Sequence, residues 1–170
     1  SISDLNNPLI KFNIVGEGPE LNKLKSISLK SVNKKNFIFH GKLNREDINN
    51  IFLNSDFYIQ ASNYEGLPHS ILEAMSFGIP VLSTPVGECL EILGENERGY
   101  LLDLPVSIDN IKSKITEIIN EKNIAITKGE KGKDFIYKNY NFLNTFNLYK
   151  NLFFLVSKNA FPLIDQEKKV

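Results

Sequence analysis

The feature that most constrains this chain is an alternation of two hydrophobic periods along most of its length. Short apolar or β-branched runs, bounded by Gly, Pro, Asn or Asp, recur at Leu9–Val15, Asn36–Phe39, Phe57–Gln60, Val81–Ser83 and Tyr100–Leu102. Each has the length and composition of a buried strand. Between them, apolar residues fall at three- and four-residue spacing, the period of a helix with one covered face. One helix is expected from Pro19 through Leu21, Leu24 and Ile27, proline being favoured in a first turn. A second follows the cap Asn44, carries Glu46 and Asp47 in its first turn and buries Ile48, Ile51 and Phe52. A third starts at Pro68 and stops near Gly78-Ile79-Pro80. Ser107 caps a fourth, with the stripe Ile108, Ile111, Ile115, Ile118 and Ile119. Lys122–Tyr140 predicts a further helix that Gly129 and Gly132 weaken, and Phe142, Phe146, Tyr149, Phe153 and Val156 mark a last one. Strands alternating with helices build a parallel sheet covered on both faces, so the expected fold is a doubly wound, Rossmann-like α/β domain.

The 170 residues suit one such domain, expected over 1–157, with 158–170 a polar tail. Composition narrows the partners. Twenty basic residues balance twenty acidic ones, and all the basic ones but Arg45 and Arg98 are lysine. Balanced charge and scarce arginine, the residue of forked phosphate and base contacts, argue against nucleic acid. The single cysteine, Cys89, forms no internal disulfide and is too little for a zinc site, so no metal is expected. The longest uncharged stretch, Ala74–Gly87, is broken by Pro80 and Pro85 and too short to span a bilayer. Ser1-Ile2-Ser3-Asp4 lacks the basic start and apolar core of a signal peptide. A cytoplasmic protein is expected, with any membrane contact made only through parts outside this chain.

In open parallel sheets, ligands bind beyond the carboxyl ends of the strands. Five loops therefore matter: Gly16–Pro19, His40–Asn44, Ala61–Pro68, Thr84–Glu88 and the turn near Asp103. Gly16-Glu17-Gly18-Pro19 follows the first strand and opens a helix, where backbone N–H groups can meet an anion. The dinucleotide fingerprint fails here: position 21 is Leu instead of a third glycine, and Lys34, Lys35 and His40 stand where an acid is needed. A ligand contact and a tight strand-to-helix turn both remain open for Gly16 and Gly18.

Ala61–Glu73 is the more informative segment. A strand ends, a polar loop carries Glu65 and Gly66, and Pro68 opens a helix bearing Glu73 on its second turn. The N–H groups of His69 and Ser70 are expected free at the helix start, a site for phosphate. Glu65 and Glu73 can accept from hydroxyl groups in the same cleft, since a carboxylate offers two charged acceptor oxygens. A solvated Glu65 and a polar-face Glu73 are the bland alternatives.

Glu65-Gly66-Leu67-Pro68-His69-Ser70-Ile71-Leu72-Glu73-Ala74-Met75, followed by Gly78-Ile79-Pro80-Val81-Leu82-Ser83, resembles the signature of glycosyltransferase family 4, retaining enzymes of the GT-B fold. Further blocks are similar in the same order: Ile14–Pro19, Phe39–Leu43, Ser55–Ile59, Gly87–Ile92 and Arg98–Leu102. The resemblance implies that Glu65 lies by the donor sugar as the catalytic carboxylate, and that Glu73 holds the ribose hydroxyls. It implies that Gly41, Lys42 and Leu43 meet the base, that Gly66, Leu67, Pro68, His69 and Ser70 meet sugar and diphosphate, and that Gly16 and Gly18 line the same cleft. The nucleotide-sugar is then a substrate, and no metal or other cofactor is needed. One departure is Glu88, which stands where a second glycine is usual after Gly87. A larger one is at the front. The family's donor domain usually begins one strand earlier, with a Gly-Arg block and a Lys that neutralise the diphosphate. The N-terminal GT-B domain that would bind a glycan or lipid-linked acceptor also lies outside these residues. The resemblance thus implies a fragment or one half of a split enzyme, inactive alone. The rival readings are a non-catalytic nucleotide-sugar-binding or assembly module and an epimerase of the same architecture.

The remaining candidates are plainer. His40 fits strand-end packing better than acid–base work. His69 fits a phosphate donor or an exposed helix start equally. Cys89 lacks the basic neighbour a nucleophilic thiol needs.

Overall fold

A computed structural model describes residues 10–31 and 34–140. The helix expected over Phe142–Val156, the tail and Leu9 lie outside them.

Among the described residues, five strands form two parallel sheets. In the first, β1 (Phe12–Val15) lies beside β2 (Phe37–Gly41), and the rings of the facing pair Phe12 and Phe37 stack 5.1 Å apart. In the second, β4 (Val81–Ser83) lies between β3 (Tyr58–Gln60) and β5 (Tyr100–Leu101). Parallel neighbours need crossover connections, and helices supply them. α1 (Leu21–Leu29) joins β1 to β2, α2 (Arg45–Leu53) leads to β3, α3 (His69–Ser76) joins β3 to β4, and α4 (Cys89–Leu93) joins β4 to β5. α5 (Ile108–Asn120) and α6 (Lys122–Asn139) follow. The α/β class with parallel strands is as expected.

Local chemistry explains the helix ends. The Asn44 side chain accepts from the Asp47 N–H at 2.9 Å, and Ser107 Oγ accepts from that of Asn110 at 3.0 Å. Each satisfies a donor that the first turn leaves orphaned. α4 ends at Gly94, whose left-handed φ of 59° suits glycine, and Arg98 donates to the carbonyls of Glu91 and Ile92. α1 starts two residues beyond Pro19: Pro19 and Glu20 form a turn in which Leu21 N–H reaches the Gly18 carbonyl.

The core belongs to the second sheet. β4 is buried throughout, and Leu82, Tyr100 and Leu102 pack against Ile115 and Ile118 of α5 and Ala125 of α6. Ile71, Ala74 and Met75 of α3 and Ile92 and Leu93 of α4 are also buried. Two glycines thought to weaken α6 have a packing role instead. A Cβ on Gly129 would stand 2.2 Å from the Gly78 carbonyl oxygen, and one on Gly132 3.1 Å from Met75 Cε. Close approach needs the missing side chains, which repays their lower helix propensity.

The first sheet departs from expectation. β1 and β2 are half-covered, with Val15 and Ile38 exposed, and α1 leaves Leu24 46% and Ile27 44% exposed. A two-stranded ribbon has too little surface to bury a whole helix face. On α5 the buried part of the stripe is likewise shorter, since Ile108 and Ile119 near its ends are exposed. The described residues up to Lys133 form one compact unit, which holds both sheets. In the second unit, described over residues 134–140, the Phe135 and Tyr140 rings lie 6.0 Å apart.

Candidate functional site

Three loops meet at the carboxyl ends of the strands. Gly16, with φ of 120°, leaves β1 and donates its N–H to the Gly41 carbonyl at 2.8 Å, which ties the first loop to the end of β2. Gly41 has φ of 67°, and a Cβ there would lie 3.8 Å from Glu17 Oε1. Four residues on, Arg45 in the first turn of α2 forms an ion pair with Glu73 of α3. That contact brings the loop after β2 against the helix that follows β3.

The third loop is built from β3. Tyr58 and Gln60 are two apart on one strand, so their side chains share a face. Gln60 Oε1 accepts from the Tyr58 hydroxyl at 2.8 Å and from Ser70 Oγ at 2.6 Å, while Gln60 Nε2 donates to Glu65 Oε1 at 2.5 Å. Thr84 Oγ1 donates to the Ser62 carbonyl at 2.6 Å and holds the loop's other limb to β4. Behind it stands Gly87, φ 56°. A Cβ there would meet the Glu65 carbonyl oxygen at 2.2 Å.

Several expectations change here. Pro68 is the cap of α3, not its first residue: with φ −81° and ψ 81° it centres a tight turn in which His69 N–H donates to the Leu67 carbonyl at 3.0 Å. The His69 N–H is therefore occupied. That of Ser70 has no acceptor among the described residues. Glu73 is not a free solvent-facing carboxylate, because its side chain is only 28% exposed and is engaged by Arg45. The turn near Asp103 stays out of the site: Asp103 exchanges two hydrogen bonds with Asn110 and so closes onto α5. His40 Nε2 contacts Asn13 Oδ1 at 2.9 Å across the β1–β2 pair, a strand-end packing role.

Of the remaining positions, Leu43 is half-buried and Pro68 buried, while Lys42, Gly18, Gly66, Leu67 and His69 are exposed at the same edge. Burial, ahead of the neighbouring Glu65 and Glu73 charges, pushes the Tyr58 hydroxyl up, and the nearby Ser70 hydroxyl works the other way. Burial also pushes the Cys89 thiol up, with Ser83 opposing and Glu65 adding to it. A protonated, fully buried thiol is a poor nucleophile. Among the described residues no group of three or more His, Cys, Asp or Glu is placed to hold a metal, and no helix is long and apolar enough to cross a membrane.

Gln60 and Arg45 join the site only through contacts with other segments of the chain. The available signals were slight: a polar residue ending a strand at the functional edge, and one of only two arginines.

The chain is similar to known proteins along most of its length. Residues 1–142 match the family described as Glycosyl transferases group 1. An uncharacterized glycosyltransferase of Methanocaldococcus jannaschii is 32% identical over 88% of this chain and 38% of its own length. UDP-Gal:alpha-D-GlcNAc-diphosphoundecaprenol alpha-1,3-galactosyltransferase of Escherichia coli is 32% identical over 68% of this chain and 29% of its own. The chain thus spans well under half the length of these relatives. Among solved structures, the C-terminal domain of a group 1 glycosyl transferase (LpcC) from Francisella tularensis superposes with a TM-score of 0.73 at 24% identity, covering 83% of this chain and 75% of that one. Anabaena Alr3699/HepE in complex with UDP-glucose superposes with a TM-score of 0.75 at 19% identity, covering 86% of this chain and 41% of that one. The fold is that of GT-B glycosyltransferase domains.

Proposed function

The chain belongs to the group 1 glycosyl transferases, and from that membership we propose that it is the donor-binding half of a retaining, family 4 enzyme. The intact protein moves a hexose from a nucleotide-sugar to a glycan or lipid-linked acceptor. The observation that carries this reading is the Arg45–Glu73 ion pair, which brings the loop after β2 and the helix after β3 to one cleft. Glu73 then accepts from the two ribose hydroxyls, one per oxygen, once Arg45 gives way. Gly41, Lys42 and Leu43 face the base from the neighbouring loop. The Ser70 N–H, at the positive end of α3, meets the diphosphate, beside Gly66, Leu67, Pro68 and His69. Glu65 stands at the sugar, where a carboxylate counts most as positive charge develops at the transferring carbon. Gly16 and Gly18 close the cleft from β1. No metal or other cofactor has a part in this scheme.

The parting of the sheets supports the reading. In the doubly wound order 3-2-1-4-5-6, β1 to β5 take places two to six, and place one falls between β1 and β3, where the two sheets separate. We assign that strand, the basic pair and the acceptor domain to parts of the protein outside this chain, which would carry any membrane contact of an otherwise cytoplasmic enzyme. The test is ligand-detected NMR with UDP-glucose, GDP-glucose and ADP-glucose. Binding of one at millimolar concentration, displaced by its own nucleoside diphosphate, is the expected result. No response to any of the three overturns the reading. The relative from Escherichia coli, whose name specifies UDP-Gal, makes the uridine nucleotide the first to try.

A further inference from the structure

The amide of Gln60 sits where three polar side chains meet, those of Tyr58, Ser70 and Glu65, and its orientation has a physical cause. Amide oxygen and nitrogen are interchangeable in shape, so the neighbours decide which way the group points. An ionised Glu65 can only accept, which requires the NH2 of Gln60 to face it. The amide oxygen is thereby turned toward Tyr58 and Ser70, and both hydroxyls must donate to it at 2.8 and 2.6 Å. The chain of donors thus runs from Tyr58 and Ser70 through Gln60 to Glu65 Oε1, leaving Oε2 of Glu65 without a hydrogen bond among the described residues. The strand fixes Gln60 itself, since Thr84 N–H donates to its backbone carbonyl at 3.3 Å and the β3–β4 register places it opposite Ser83.

We infer that Gln60 is the positioning residue for Glu65: it pins one carboxylate oxygen to the rigid edge of β3 and turns the other toward the donor sugar. This rests on the proposed place of Glu65 beside that sugar. Glu65 lies in an irregular loop, and a charge that must face one carbon needs an anchor on a regular element. Gln60 also couples Ser70 to Glu65, because the same amide oxygen receives the Ser70 hydroxyl. Contacts to the diphosphate and to the sugar are thereby held in one frame.

The test uses the intact protein that carries this chain, with nucleoside diphosphates and their glucose conjugates as probes. Gln60→Leu keeps the volume and removes the amide. Its affinity for the nucleoside diphosphate is expected to stay within about twofold of wild type, whereas kcat for transfer falls by roughly ten- to a hundredfold with little change in KM. Gln60→Glu supplies the readout that a merely structural role would not move. Two facing carboxylates share one proton, and the protonated partner can donate to Glu65 as the amide does. The ratio of variant to wild-type kcat is therefore expected to fall by roughly fivefold or more as pH rises from 6 to 8. Wild-type kcat in Gln60→Leu, or a flat ratio across that pH range, overturns the inference while leaving the donor-site reading intact. Wild-type protein that binds none of the probes overturns both.

Discussion

The two sheets of this molecule are built alike and packed differently. Both are parallel, and both send glycine-bearing loops from their carboxyl ends. Around β3, β4 and β5, side chains from four helices close a core in which Leu82, Ile71, Met75, Ile92 and Ile115 are fully buried. Around β1 and β2 the described residues leave Val15, Ile38, Leu24, Ile27 and Leu29 exposed. The difference teaches where precision can be held. Glu65, Ser70 and Glu73 hang from the packed half, where strand and helix are locked by burial. Gly16, Gly18, Gly41 and Lys42 hang from the open half. They offer mainly backbone, which tolerates a looser frame.

Four experiments break or sharpen that contrast. The largest effect comes from cutting into each half equally. Leu82→Ala is expected to cost about 2–5 kcal/mol in urea unfolding. Leu24→Ala, on the open helix, is expected to cost less than about 1 kcal/mol. Equal losses would dissolve the distinction. The glycines give the next contrast. Gly129→Ala drives a methyl into the Gly78 carbonyl and should cost about 3 kcal/mol, whereas Gly18→Ala meets nothing within 4 Å and should stay within about 0.5 kcal/mol. Thermal melts of the two variants decide it.

The third experiment separates site from scaffold inside the packed half. Glu73→Ala should weaken nucleotide binding by about 1.5–3 kcal/mol, or roughly ten- to a hundredfold, whatever sugar is attached. Its melting temperature should scarcely move, because the pair with exposed Arg45 is of the kind worth about 0–1 kcal/mol. Calorimetric titration beside a melting curve tests both statements, and unchanged affinity with a large loss of stability would make Glu73 structural. The smallest effect is one of pH. Burial raises the Cys89 thiol in the folded chain, so the unfolded chain gives up that proton first. This contribution is fully present at neutral pH and is lost as pH rises above about 8.5 through the folded value. Urea midpoints at pH 7 and 9.5 should fall less in Cys89→Ala than in wild type.

The legible part of the fold was carried by short-range chemistry. Asn44 and Ser107 each cap the helix expected of them, and β4 has the bounds its apolar run suggests. The order of loops at the carboxyl edge also follows from alternation alone, which is why Glu65 and Glu73 could be singled out before any geometry. What was not legible depends on contacts far apart in sequence. Periodicity cannot tell that Arg45 reaches Glu73, 28 residues on, or that Gly87 backs onto the Glu65 carbonyl. Nor can it tell that α1 lacks a surface wide enough to cover Leu24 and Ile27.

The sequence by itself determined the described element types, their parallel connection and the edge that carries the candidate site, because propensity, caps and hydrophobic period act within a few residues. Tertiary structure alone decided which expected strands are buried, why Gly129 and Gly132 belong inside a helix, and how Gln60 turns its amide toward Glu65. Those outcomes depend on which surfaces meet and which polar atoms face each other, and burial and hydrogen-bond direction are properties of the pair, not of either residue alone.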